Sequence, residues 1–198
     1  MQSDLVASFY IIKYFLFSLT LFSQGFEIPE KPSHNLPNGP LKIMTFGKFG
    51  TYKKVEDLIE AVALLENEID EPLEIVIAGT DNPNTPGYLA DVSKKYRHMA
   101  NITFTGYVKE EDVPKIFSES CLVVFPYSST TGSSGVLHQA GSYGKAVVMP
   151  DLGDLALLVK DEGYMGEFFE PTSVGSLANA IEALVVNDAY RLRLAKTN

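Results

Sequence analysis

From Leu41 onward, short runs of β-branched and aromatic residues alternate with stretches whose apolar positions recur at helical spacing, a rhythm that predicts strands separated by covering helices. The apolar runs place strands over Leu41–Phe46, Leu73–Ala78, Ile102–Thr105, Leu122–Phe125, Ala146–Met149 and Met165–Phe169. Between them, Val55, Leu58, Ile59, Val62 and Leu65 fall on one helical face, as do Val113, Ile116 and Phe117, and again Leu177, Ile181 and Leu184. Runs such as Ile102-Thr103-Phe104 and Cys121 to Phe125 lack clean alternation, as expected of strands buried on both faces. The expected fold is therefore α/β: a doubly wound, Rossmann-like parallel sheet of about six strands. No internal repeat interrupts it.

The chain before Leu41 follows other rules. Residues 5–22 form an apolar run near the lower length limit of a membrane span, broken near its middle by Lys13. The flanks, Met1 to Asp4 and Phe22-Ser23-Gln24, lack the positively charged start and small-residue end of a cleaved secretory signal. Three readings stand: a membrane anchor, a remnant of a truncated upstream domain, or a buried core helix. Gln24 to Pro40 carries four prolines and no apolar period, so it reads as a linker. The expected organisation is a hydrophobic segment over residues 1–23, a linker over 24–40 and a folded domain over 41–198.

Composition narrows the function classes. The 198 residues carry 25 acids against 16 Lys and Arg, a net charge of −9 that repels phosphate backbones and argues against nucleic-acid partners. Cys121 is the sole cysteine, so no internal disulfide or cysteine-based zinc site can form, and a reducing, cytoplasmic setting is expected, with membrane association left open by the N-terminal run. His34, His98 and His138 stand apart from one another, and no Asp-x-Asp pair exists, so no metal site is expected.

An open sheet of order 3-2-1-4-5-6 binds ligands beyond the carboxyl ends of its strands, in the crevice between strands 1 and 4. That rule selects the segments after Phe46 and after Phe125. The first runs from Gly47 to Lys54, within a stretch from Lys31 to Val55 that holds five lysines and no acid. It is a local basic patch in an acidic protein. It matches neither the dinucleotide fingerprint nor the Walker pattern. The second runs from Pro126 through Ser128-Ser129-Thr130-Thr131-Gly132-Ser133-Ser134-Gly135 into a helix marked by Val136, Leu137 and Ala140. Small residues there leave helix N–H groups open to an anion such as a diphosphate. Taken singly, the lysines read equally as a solvated face, and Ser133 or Ser134 as a helix cap.

These residues resemble the C-terminal, donor-binding half of GT-B glycosyltransferases, in particular the retaining group 1 class. The resemblance rests on Gly47-Lys48 with Lys53 five positions after Lys48, Ile77-Ala78-Gly79, Phe104 to Val108, Phe125-Pro126-Tyr127, Gly135 to Ala140, and Gly144 to Val148. It implies one half of a GT-B architecture and a metal-independent, cofactor-free transfer of a sugar from a nucleotide-diphosphate sugar, with retention, in glycan, cell-wall or polysaccharide biosynthesis. By that resemblance Lys48 and Lys53 are catalytic and grip the donor diphosphate together with Gly132, Ser133, Ser134 and Gly135. Tyr107 and Val108 lie against the nucleobase, Gln139 meets the ribose, and Thr131 stands beside the transferred sugar. Thr131 and Gln139 occupy the two positions where the family carries glutamates. Implied partners are the nucleotide-sugar, an acceptor glycan or lipid-linked sugar, and an N-terminal acceptor domain or separate chain supplying the other half of the cleft. A different class fits the two lost glutamates: a non-catalytic nucleotide- or sugar-phosphate-binding module or partner subunit.

Overall fold

In the computed structural model, residues 34–129, 135–153, 156–157 and 166–197 are described, within a compact unit that runs from Pro32 to Asn198. The hydrophobic segment, residues 24–33 of the linker, and Thr131, Gly132, Ser133 and Ser134 of the predicted cradle lie outside the described residues.

Six parallel strands form one sheet in the order β3-β2-β1-β4-β5-β6. They are β1 (Leu41–Phe49), β2 (Leu73–Asp81), β3 (Ile102–Gly106), β4 (Leu122–Val124), β5 (Ala146–Pro150) and β6 (Glu167–Phe169). The helices are α1 (Val55–Leu65), α2 (Tyr88–Lys95), α3 (Val113–Glu119), α4 (Gly135–Ser142), α5 (Val174–Val185) and α6 (Asp188–Thr197). This is the doubly wound order expected of the sequence, with its reversal between β1 and β4. Among the described residues, no helix is long and apolar enough to cross a membrane.

Two apolar layers sandwich the sheet. On one face Ile43, Ile75, Ile77, Leu122 and Val148 pack with Leu58, Ile59 and Val62 of α1, Val92 of α2, Leu177, Ile181 and Leu184 of α5, and Leu194 of α6. On the other, Met44, Val76, Val123, Val147 and Met149 pack with Val113 and Phe117 of α3 and Leu137 and Ala140 of α4. Strand residues thus alternate between two dry layers rather than between core and water, which is why their sequence runs are apolar without alternation.

The helix ends are satisfied locally. The Asp81 carboxylate at the end of β2 accepts from Gly87 N (2.6 Å) and Leu89 N (2.8 Å), closing the start of α2. Ser173 Oγ accepts from Ser176 N at 3.2 Å to cap α5, and Asn187 Oδ1 accepts from Tyr190 N at 3.0 Å at the start of α6. The α1 terminus has no side-chain cap of its own; instead Val55 N donates to the Tyr88 hydroxyl at 2.9 Å, a bond reaching across from α2.

The boundaries differ from the sequence reading in places that matter for the site. β1 and β2 each run three residues further than their apolar runs, because Gly47-Lys48-Phe49 and Gly79-Thr80-Asp81 stay paired in register. Lys48 therefore belongs to the strand end, not to a loop. Phe125 lies just beyond β4. The charged α6 went unread because its apolar residues do not gather on one helical face.

Candidate anion-binding site at the strand reversal

Parallel pairing brings the carboxyl ends of β1, β2, β3 and β4 to one edge of the sheet. There the two segments selected by the sequence are joined. Gly50 and Lys53 exchange backbone hydrogen bonds (3.0 and 2.9 Å) across a tight hairpin, in which Thr51 takes a left-handed φ of 52° that β-branched residues rarely adopt. Lys54 N then donates to Pro126 O at 2.9 Å, and Ser128 N donates to Tyr52 O at 2.9 Å, so the hairpin is stapled to the segment after β4. Lys53 and Tyr127 form the bridge between them.

Behind the hairpin stands the turn between β2 and α2. Asn82 N and Thr85 Oγ1 both donate to Phe49 O (2.7 and 3.3 Å). Thr85 fills the space a side chain on residue 50 would need: a β-carbon on Gly50 would lie 2.0 Å from Thr85 Oγ1. The hairpin is thus held on both sides by hydrogen bonds that leave its side chains free to project.

Lys53 is the chemically distinctive member. Its side chain is half-buried, its ammonium lies 4.7 Å from the Tyr127 ring centre and 5.8 Å from that of Tyr52, and burial pushes its pKa below the ordinary lysine value. Among the described residues no carboxylate reaches ion-pair distance of it. The position a β-carbon on Gly47 would take lies 3.5 Å from Lys53 Nζ and 4.0 Å from Val136 Cγ2. That places the ammonium beside the bare backbone of Gly47, with a methyl of Val136 in α4 also close to that glycine. A desolvated cation with no acid beside it among the described residues is a site that a negative group completes.

The other predicted residues are placed as follows. Lys48 is exposed at the end of β1, paired in register with Thr80. Gly135 is exposed and opens α4, while Gln139 sits half-buried in its second turn. Tyr107 follows β3 on the same sheet edge, 76% exposed, and Val108 packs partly against the second core layer. Tyr107 is two strands from β1, so a bound molecule must be extended to meet both it and Lys53. Sequence reasoning missed Thr85 and Tyr88, and gave the rings of Tyr52 and Tyr127 no part in the site. The latter two stood inside the selected segments, whereas nothing local to residues 82–88 signals that they support residues 49–55. Among the described residues no three His, Cys, Asp or Glu converge as metal ligands.

Comparison with known proteins gives this site a context. The family model of glycosyl transferases group 1 matches residues 27–198. No curated protein matches the sequence at a significant level. Among solved structures, HepE of Anabaena in complex with UDP and glucose superposes with a TM-score of 0.68 at 18% identity, over 80% of this chain and 42% of that one. The C-terminal domain of a group 1 glycosyl transferase from Francisella tularensis gives 0.69 at 20% identity, over 84% of this chain and 90% of that one. Sucrose-phosphate synthase from Thermosynechococcus elongatus gives 0.67 at 23% identity, over 82% of this chain and 40% of that one. These likenesses establish the fold, and the chain spans about two fifths of the length of HepE and of the synthase.

Proposed function

The chain belongs to the glycosyl transferases group 1 family, and from that premise we propose that its folded unit is the donor-binding half of a retaining, metal-independent glycosyltransferase using a nucleotide-diphosphate sugar. The observation that carries this reading is the half-buried Lys53 ammonium, without a carboxylate partner among the described residues, beside the bare backbone of Gly47 and the ring of Tyr127. Breaking a sugar–phosphate bond builds negative charge on the departing diphosphate, and fixed cations and N–H dipoles aimed at that charge lower the barrier. Lys53 supplies the fixed charge and Lys48 a mobile one. In this reading Gly132, Ser133, Ser134 and Gly135 bind the diphosphate through backbone N–H groups, Gln139 meets the ribose, Thr131 attends the sugar, and Tyr107 with Val108 flanks the base. With the diphosphate met by lysines and backbone dipoles, no divalent ion is needed to neutralise it. HepE, which shares this fold, is described with UDP and glucose, which supports a nucleotide-sugar as donor. The acceptor, a glycan or lipid-linked sugar, is held by an N-terminal domain or separate chain across the cleft.

One observation favours a second reading. Gln139 is a neutral amide where the family carries a carboxylate, and charge-assisted hydrogen bonds are roughly twice as strong as neutral ones. A module that binds the nucleotide without transferring the sugar fits that loss. Calorimetric titration of the full chain with UDP, GDP and ADP tests both. Binding of a nucleoside diphosphate, weakened by Lys53→Ala, is the expected result. Sugar transfer once an acceptor half is supplied supports the enzyme, and binding without transfer the module. No binding of any of the three overturns the site.

A further inference from the structure

A lysine waiting for an anion faces a conflict. Left bare in a half-buried place its charged form is disfavoured, and paired with a carboxylate it is neutralised and the incoming anion must displace the acid. The face of an aromatic ring resolves this, since its quadrupole attracts a cation while carrying no net charge. Lys53 has that arrangement, its ammonium 4.7 Å from the centre of the Tyr127 ring.

The ring is fixed more firmly than the lysine. Tyr127 is only 4% exposed and packs edge-on against Phe125 (5.6 Å, 88°) and Tyr52 (5.6 Å, 90°). Its backbone is bridged to Lys53 itself, flanked by the bonds Lys54 N to Pro126 O and Ser128 N to Tyr52 O. The ring and the root of the lysine are therefore one rigid piece, and Tyr52, 5.8 Å from the ammonium, forms a second, weaker wall. We propose that Tyr127 is the positioning residue of the anion site: its ring stands in for a carboxylate beside Lys53, holding the ammonium against the bare backbone of Gly47, with no carboxylate among the described residues to pair with it, available to a diphosphate. This rests on the nucleotide-sugar reading of the site, and it adds a residue in which the ring, not the hydroxyl, does the positioning.

The test compares Tyr127→Phe, which keeps the ring, with Tyr127→Leu, which removes it, in the full chain. NMR titration of the Lys53 side chain without nucleotide is read first. Tyr127→Leu is expected to move the midpoint to lower pH, and Tyr127→Phe to leave it within about 0.3 of a pH unit, because only the leucine variant loses the attraction for the charged form. Calorimetry with UDP, GDP and ADP is read second. Affinity should fall about three- to thirtyfold in Tyr127→Leu and change less than about twofold in Tyr127→Phe, with binding lost at lower pH in the leucine variant. Should Tyr127→Leu not fold, a perfluorinated phenylalanine at position 127 keeps the shape while reversing the ring's face potential, and should give the same downward shift. Equal midpoints in the ring-bearing and ringless variants overturn the proposal, as does a loss in Tyr127→Phe as large as in Tyr127→Leu. If the wild-type chain binds no nucleoside diphosphate, the donor-site reading fails, while the Lys53 midpoint still judges the role of the ring.

Discussion

Gly79 runs so close to Gly47 in the paired ends of β1 and β2 that a β-carbon on Gly79 would lie 1.8 Å from the Gly47 carbonyl oxygen. Gly79 also holds a φ of 143°, which disfavours any side chain. The contact is between backbones, so no side-chain rotation can relieve it. Gly79→Ala should therefore cost about 3 kcal/mol or more and shift the strand end that carries Lys48. Gly175→Ala, inside α5 with nothing within 4 Å of the new carbon, should instead be neutral or stabilise by about 0.5–1 kcal/mol. Urea denaturation of the two variants beside the wild type checks both signs.

The strands and most covering helices were legible because burial on two faces leaves a signature in composition: Ile43, Ile75, Ile77, Leu122 and Val148 are all under 2% exposed. The α1 face was read in full, with Val55, Leu58, Ile59, Val62 and Leu65 all buried. What escaped was continuation without hydrophobicity. Gly47-Lys48 and Gly79-Thr80 end the apolar runs, yet backbone pairing does not need apolar side chains, so the ladder continues to Phe49 and Asp81. The switch-point rule found both halves of the candidate site before any contact was known. It could not show that they are stapled together, since Lys54 and Pro126 are brought into contact only by the pairing of β1 with β4.

Lys48 and Lys53 should separate in their effects. Lys48 is exposed and its charge is screened by water, whereas Lys53 is half-buried beside Gly47 and the Tyr127 ring. Lys53→Met should lower nucleoside diphosphate affinity at least about tenfold and Lys48→Met about threefold, by the weaker value of exposed charges. Because Lys53 has no acid partner among the described residues, its removal should change unfolding free energy by less than about 1 kcal/mol. Calorimetry and denaturant midpoints on the same preparations check this, and a large loss of stability would make Lys53 structural.

Tyr88 should matter at a distance. Its hydroxyl accepts from Val55 N at 2.9 Å and donates to the Glu56 carboxylate, so it closes the α1 terminus directly after Lys53-Lys54. Burial, with the Glu56 bond adding to it, pushes the phenol far above its ordinary pKa, so it stays protonated as donor throughout the neutral range. Tyr88→Phe should cost about 1–3 kcal/mol through the unpaired Val55 N–H. It should also weaken diphosphate binding more than nucleoside binding, since the hairpin loses one support. Urea denaturation and paired titrations with uridine and UDP read the two effects separately.

Lys145 sets a pH dependence of stability. It is 3% exposed, and its ammonium donates to Ser118 O (3.0 Å) and Ser120 O (2.9 Å), tying the end of α3 to the start of β5. Burial lowers its pKa to about 8, against 10.5 for the free side chain. The folded state therefore gives up this proton first, and between those two values the unfolded chain binds more protons. Stability contributed by this group must rise with pH across that window, and its charged form penalises folding below it. Lys145→Met loses at least these two hydrogen bonds and should be less stable at neutral pH by about 1–3 kcal/mol, yet the rise should vanish from it. Subtracting its unfolding free energy from that of the wild type at each pH, from 7 to 11, isolates the lysine from the tyrosines and Cys121 that titrate nearby. A difference that increases with pH and levels off near 10.5 is the expected outcome, and a flat difference would mean that Lys145 keeps an ordinary pKa in the folded protein.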